Sequence, residues 1–349
     1  MKQLPTVPCD PKRRSFLKLC GLFGLGTAGV ALLPIEHAET LFFGNKEYKV
    51  SKTKLAMGSF LAITILHSSQ DEAENAMGLA FEEVDRLSKL LSRHDSSTPV
   101  AQLNQTGRLI AAPPELMEVV NRALYYNSLT NGAFDITVQP VVDLFKNSFG
   151  AGHKPSEAEI AALLPQVGTE HIRVSEAAIS FQRDHMGITL DGIAPGYIVD
   201  RVSALLAKLG VPNHLINASG DIRTSGSAAK AGKWTVAIQD PDHQKVYPDI
   251  VSMGTGAIST SGSYEIFYDQ EKTFHHIVSP QTGHSPILAT SVTTTAPSVM
   301  EADALATALM VMPPEDSLRL ISQQSQCQCF IIGRDKTLRH SPGWSSSLA

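Results

Sequence analysis

The chain has 349 residues, with 34 acidic and 29 basic side chains, 43% hydrophobic content and 18% charged residues. That balance excludes a disordered or collagen-like polypeptide and leaves ample chain to bury a core. A formal charge of −5, 6% aromatics and no basic run exclude nucleic acid as the expected partner.

The first element is a targeting segment. Lys12-Arg13-Arg14-Ser15-Phe16-Leu17-Lys18 precedes an apolar run from Leu19 to Leu33, too short for a comfortable membrane span. It is similar to the S/T-R-R-x-F-L-K signal of the twin-arginine export pathway, with Lys12 where Ser or Thr is usual. The expectation is a periplasmic protein, residues 1–38 being the signal and 39–349 the working domain; an uncleaved signal would instead anchor it to the membrane. Removing residues 1–38 leaves 24 basic and 32 acidic side chains, a net charge of −8. It also removes Cys9, Cys20 and the G-x-G-x-x-G string of Gly24, Gly26 and Gly29, which no strand precedes and which is therefore no dinucleotide fingerprint.

Residues 47–66 read as strand-forming around Met57-Gly58-Ser59. From Asp71 to Arg93, Met77, Phe81, Val84, Leu87 and Leu91 recur at helical spacing. A second helix is predicted from Pro114 to Leu129, stopped by Asn131-Gly132, and a third from the Ser156/Glu159 capping box to about Pro165. His171 to Leu190 reads as a hairpin plus a strand, followed by a helix from Tyr197 to Leu209 that Gly210 terminates. Strands are expected at 214–216, 234–238, 257–259, 265–268, 274–278 and 291–295. A helix from Val299 to Met312 ends at Pro313-Pro314, and a short helix then precedes a strand at 329–332, where Cys327 and Cys329 read as core residues. Helices and hairpins mix without βα alternation, so the fold class is α+β with mixed or antiparallel sheets. A separate lobe over 71–180 is the alternative organisation.

No Walker A loop, H-E-x-x-H, G-x-S-x-G or paired C-x-x-C occurs. Small-residue turns carry the polar groups instead. Gly132-Ala133-Phe134-Asp135-Ile136-Thr137 follows a helix and is expected to open into a strand; Asp135 either meets a ligand or caps a turn. Asn217-Ala218-Ser219-Gly220-Asp221 and Ser259-Thr260-Ser261-Gly262 end strands in the same style and suit backbone N–H groups facing phosphates. Asp303 and Thr307, four apart on one helix face, offer hard oxygen ligands that fit Mg²⁺ better than zinc; alternatively both are absorbed by the helix itself. His275 and His276 are expected on an alternating strand with rings on opposite faces, one free to enter a site as a general base.

Taken in order, Met57-Gly58-Ser59, Gly132 to Thr137, Leu190 to Arg201, Asn217 to Arg223, Ile258 to Tyr264, His275 to Gly283 and Ala302 to Thr307 resemble the FAD:protein FMN transferase (ApbE) family over residues 50–335. The resemblance implies an α+β fold related to the T-fold, FAD in a cleft, and Mg²⁺ at its pyrophosphate held by Gly192, Asp303 and Thr307. It implies cofactor contacts at Met57, Ala133, Phe134, Asp135, Thr189, Asp191, Pro195, Gly220, Asp221 and Ile277, with His276 as the catalytic base. Three departures stand out. The family's D-L-G-G-I-A-K-G-Y turn reads Thr189-Leu190-Asp191-Gly192-Ile193-Ala194-Pro195-Gly196-Tyr197, so Thr189 replaces an Asp and Pro195 a Lys. If the segment is extended, Asp191 lies on the side of Thr189 and replaces the missing carboxylate. Ser219 replaces a Gly in the N-A-G-G-D turn. The turn is similar to that of the family branch associated with nitrous oxide reduction.

The implied activity is Mg²⁺-dependent transfer of FMN from FAD to a Thr or Ser hydroxyl of an exported or membrane-associated electron-transfer flavoprotein, with AMP released. The alternatives are an FAD pyrophosphatase that uses water, and a flavin-binding maturation factor without catalysis.

Overall fold

A continuous antiparallel sheet organises the chain. The computed structural model describes residues 38–43, 47–228, 232–242 and 247–347; the twin-arginine segment, its glycine string, Cys9 and Cys20 lie outside them. Nine strands run in the order β1 (Ala38–Phe43), β2 (Glu47–Ala56), β3 (Ser59–His67), β7 (Asn213–Ala218), β8 (Asp221–Ser225), β11 (Gly256–Gly262), β12 (Ala289–Ala296), β13 (Gln328–Gly333) and β14 (Leu338–His340). Each neighbouring pair is antiparallel. A three-stranded sheet joins β4 (Arg108–Ile110), β6 (Ala178–Phe181) and β5 (Ile172–Val174), and β9 (Trp234–Ala237) pairs with β10 (Ile250–Met253). Residues 36–349 form one compact unit, so the helices over 71–180 build no separate lobe.

Side-chain alternation fixes which face of the sheet is covered. Along β3, Leu61, Ile63 and Ile65 are fully buried while Ala62 and Thr64 are only partly so. Helix α1 (Gln70–Leu91) is capped by the Ser69 hydroxyl, which accepts from Glu72 N–H at 3.3 Å, and it buries Met77, Phe81, Val84, Leu87 and Leu91 as the spacing predicts. After it come α2 (Pro99–Thr106), α3 (Pro114–Leu129), α4 (Gln139–Gly150), α5 (Glu157–Leu163), α6 (Ala194–Lys208), α7 (Val299–Val311) and α8 (Pro314–Ser322). Helix α7 packs on β11, β12 and α6. It buries Val299, Met300, Leu305, Leu309 and four alanines around its circumference, which marks it as an interior helix. Its crossing with α6 is close: a Cβ on Gly196 would lie 2.6 Å from Val299 O and 2.7 Å from Met300 Cα.

Four expectations need correction. The Gly132–Thr137 segment does not open into a strand: Ile136–Val138 is a single 3₁₀ turn that leads into α4, whose Val141, Val142, Phe145 and Ser148 are buried at helical spacing despite their β-branched start. Residues 265–268 and 274–278 are not strands. They share one bridge, Phe267 to His275, flanked by Tyr268 N–H donating to Phe274 O at 2.9 Å and His276 N–H to Ile266 O at 3.3 Å, and the Phe274 ring packs edge-on against Phe145. Residues 182–190 hold no strand after the β5–β6 hairpin. Thr189 and Asp191 do not share a side: the chain turns after Leu190, whose carbonyl accepts from Ile193 and Ala194, leaving Thr189 buried and the Asp191 side chain 63% exposed. Cys327 and Cys329 are buried free thiols, as core residues should be.

Candidate active site

Two hairpin turns meet at one end of the sheet. Met57 (φ 52°) and Gly58 (φ 74°) form the two-residue β2–β3 turn, and Ser219 (φ 55°) and Gly220 (φ 113°) the β7–β8 turn. Positive φ at both central residues is what such tight hairpins demand, and Met57 and Ser219 adopt it at a steric cost that glycine would avoid. The Ser59 and Ser219 hydroxyls are hydrogen-bonded, and Ser219 Oγ also donates to Phe60 O at 3.2 Å, which ties the turns together. Gly220 N–H donates to Asn217 Oδ1 at 3.0 Å.

Beside these turns, α6 and α7 bring the expected metal ligands together. Asp303 is 5% exposed in the middle of an apolar helix, and its Oδ2 accepts from Gly196 N–H at 3.1 Å. Thr307 stands one turn on, its hydroxyl 3.3 Å from that of Ser261. A Cβ on Gly192 would approach Thr307 Oγ1 to 2.9 Å, so only glycine brings that backbone so close to the threonine. On β8, Asp221 accepts from the Ser259 hydroxyl at 2.5 Å.

Among the described residues neither Asp303 nor Asp221 forms an ion pair; the nearby cations go to neighbouring carboxylates, Arg223 to Asp200 and Arg93 to Asp191, each at 3.7 Å. Burial, then the Asp221 charge, push Asp303 well above the usual carboxylate range, against the Gly196 N–H. Burial, then Asp200 and Glu265, push Asp221 up to about 7. Buried carboxylates that repel one another are stabilised by a bound cation. The donor set of carboxylate, hydroxyl and a glycine carbonyl is all hard oxygen, and it fits Mg²⁺. No group of three or more His, Cys, Asp or Glu occurs at metal-holding distance among the described residues, so a cation held by Asp303 would need other oxygen donors, such as Gly192 and Thr307.

The other expected ligand contacts divide. Thr189 N–H donates to Ile136 O at 2.8 Å, joining the 189–192 turn to the Ala133–Asp135 segment. Asp135 takes its capping role: it accepts from Thr137 N–H at 2.7 Å and from the Thr137 hydroxyl at 2.5 Å. Phe134 and Ile277 send their side chains into the core, Phe134 edge-on to Tyr126, so only their backbones remain to meet a ligand. Thr189 Oγ1 accepts from Asp191 N–H at 3.3 Å, a turn bond that a short hydroxyl makes as well as a carboxylate. Pro195 sits in the first turn of α6, where a missing N–H breaks no helical hydrogen bond.

His275 and His276 differ in surroundings. His275 is 1% exposed and bonds through Nε2 to Pro286 O at 2.9 Å. His276 is partly exposed, but its Nδ1 is enclosed without a hydrogen-bond partner. Burial, then the neighbouring His275, lower His276 to about 4, with Asp191 opposing, so its ring is neutral at pH 7 and able to accept a proton.

Three polar residues of this region escaped the sequence reading. Asp200 accepts from Val299 N–H and Met300 N–H at 3.0 and 2.9 Å, holding the start of α7. Arg93 and Asp143 pair at 2.8 Å next to Asp191. A helix-start contact made by a distant Asp, or a guanidinium in a loop, leaves no pattern along the chain.

Comparison with known proteins identifies the family. The ApbE family model matches residues 57–331. This chain belongs to the ApbE family. A FAD:protein FMN transferase of Vibrio cholerae is 33% identical over 72% of this chain and 78% of its own. Its Escherichia coli counterpart is 30% identical over 69% and 72%. Among solved structures, the ApbE protein of Thermotoga maritima superposes with a TM-score of 0.75 at 25% identity, covering 88% of this chain and 97% of that one. The flavin transferase ApbE of Vibrio cholerae gives 0.72 at 26% identity, over 89% and 98%. Family membership accords with the α+β fold and with enzymatic flavin transfer.

Proposed function

We propose that this chain is a Mg²⁺-dependent FAD:protein FMN transferase, which moves FMN from FAD to a Thr or Ser hydroxyl of an acceptor protein and releases AMP. The observation that carries the reading is the buried, cation-free carboxylate of Asp303, set against Gly192 and Thr307 in a chain of this family.

The Gly192 carbonyl, Asp303 and Thr307 would hold Mg²⁺, which supplies charge neutralisation at the pyrophosphate. The protein's own groups do the rest. Gly196 N–H orients Asp303, Ser261 orients Thr307, and the α6 N-terminus adds a partial positive charge. His276, neutral at working pH, accepts the proton of the acceptor hydroxyl. That oxygen bonds to the FMN-side phosphorus, the bond to the AMP oxygen breaks, and AMP leaves. By the family resemblance, Met57, Ala133, Gly220 and Asp221 would contact the dinucleotide. The twin-arginine segment supports export to the periplasm and hence an exported or membrane-associated flavoprotein as acceptor.

The test mixes the protein, FAD, Mg²⁺ and candidate exported flavoproteins and looks for flavin fluorescence that survives a denaturing gel. Asp303→Ala should abolish it; full labelling by that variant would refute the metal assignment. AMP release at a rate unchanged by acceptor would favour pyrophosphatase activity instead.

A further inference from the structure

We infer that Arg93 binds a phosphate oxygen of the dinucleotide, supplying beside Gly192 the positive charge that Pro195 does not provide. The inference rests on the flavin-nucleotide reading above and names a binding residue for it.

Arg93 follows the end of α1, and its side chain is nine-tenths buried. Nη1 donates to Asp143 Oδ1 at 2.8 Å, and Gln139 Nε2 holds the other oxygen of Asp143, so α4 holds one end of the guanidinium. The Nε–H is enclosed yet has no hydrogen-bond acceptor. Asp191 Oδ2 stands 3.7 Å from it, too far to accept. A buried guanidinium N–H left unpaired is unfavourable, and every Arg donor seeks an oxygen. A tie between α1 and α4 accounts for Nη1 but leaves Nε unexplained.

The location supplies the missing partner. Asp191 immediately precedes Gly192, and its exposed side chain can swing aside. Tyr268 is close enough that Arg93 and Asp191 act on its phenol in opposite senses, and Asp191 likewise acts on His276. Arg93 Nε thus stands 3.7 Å from the carboxylate of the residue that precedes Gly192, beside the turn proposed to hold the cation at the pyrophosphate. A planar guanidinium with one edge already fixed presents its free N–H in a set direction, the arrangement that suits phosphate oxygens.

Equilibrium titrations of the purified chain with FAD, ADP and riboflavin, for wild type, Arg93→Gln and Arg93→Lys, test this. Arg93→Gln should bind FAD and ADP about tenfold or more weakly and riboflavin equally well. Arg93→Lys, which keeps the charge that Asp143 needs but lacks the fork, should lose severalfold for FAD and ADP alone. FAD and ADP affinities unchanged in both variants would overturn the inference, as would an equal loss for riboflavin, which marks a structural tie. If Arg93→Gln does not fold, Arg93→Lys decides by the same criteria. A wild-type chain that binds no FAD would sink this inference together with the proposed function, whereas normal wild-type binding with indifferent variants would sink this inference alone.

Discussion

Asp221 offers a direct test of the carboxylate cluster. It opens β8, is partly buried, and accepts the Ser259 hydroxyl at 2.5 Å. Burial first, and then the charges of Asp200 and Glu265, raise it from 3.8 to about 7. Between those two values the folded chain keeps a proton that the unfolded chain has released. Stability is therefore fully present at low pH and is lost as pH rises through 7. At the alkaline limit that rise is on the order of 4 kcal/mol of strain in the ionised, metal-free protein. Asp221→Asn keeps an oxygen for Ser259 to donate to and removes the ionisation. In EDTA at about pH 8.5 the variant should exceed wild type by roughly 2–4 kcal/mol, at about pH 5 by roughly 1–2 kcal/mol, and at about pH 3.5, below the unfolded value, the two should agree within about 1 kcal/mol. Urea unfolding across this range measures the difference. Asp303 titrates in the same sense, so the variant flattens the decline without abolishing it. Added Mg²⁺ should flatten it in wild type too. A variant no more stable than wild type at alkaline pH in EDTA would refute the claim that this carboxylate is held at a penalty.

His276, lowered to about 4 by burial and by His275, is deprotonated through the neutral range. The acid limb of FMN transfer should accordingly fall near pH 4 and not near 6.5, and His276→Gln should remove about 10²–10³ of the single-turnover rate; a limb near 6.5 would assign the base elsewhere. Gly196→Ala adds a Cβ 2.6 Å from Val299 O at the α6–α7 crossing. It should destabilise the protein by about 1–3 kcal/mol in thermal unfolding and weaken Mg²⁺-dependent stabilisation, because Asp303 shifts with α7.

What could be read in advance followed from local chemistry. The α1 stripe, the Asn131-Gly132 stop, the Ser156 capping box and the α7 boundary at Pro313 are all written within a few residues of where they act. Asp303 and Thr307 were legible as a helical pair, and their partner Gly192 became legible through the family turn. The failures lie where distant residues decide. Ile136, Thr137 and Val138 are β-branched and read as the opening of a strand, but the chain turns into α4, whose Val141 and Val142 are buried with Val138 against Phe274 and Ile160. Residues 265–278 have strand propensity, yet they pair through a single bridge while Tyr268 and Phe274 pack into the α4 cluster. Arg93 was invisible because its meaning depends on Asp143, fifty positions away, and on a turn almost a hundred away.

Pro195 bears on how the site balances charge. A proline in the first turn of α6 offers no N–H, and the next amide, Gly196, is already used by Asp303. The α6 N-terminus thus serves the metal side and leaves fewer free donors for an anion. Two sources of positive charge are proposed for the site: a cation on Gly192, Asp303 and Thr307, and the guanidinium of Arg93. If they act on different phosphate oxygens, removing Mg²⁺ with EDTA and replacing Arg93 by Gln should weaken FAD by factors that multiply, since independent contacts add in free energy. If Arg93 acts only by steadying the Asp191-Gly192 turn that holds the cation, the double perturbation should cost no more affinity than EDTA alone. A double-mutant-style cycle of the four FAD affinities separates the two cases, and a coupling near zero is the outcome expected if Arg93 meets the ligand itself.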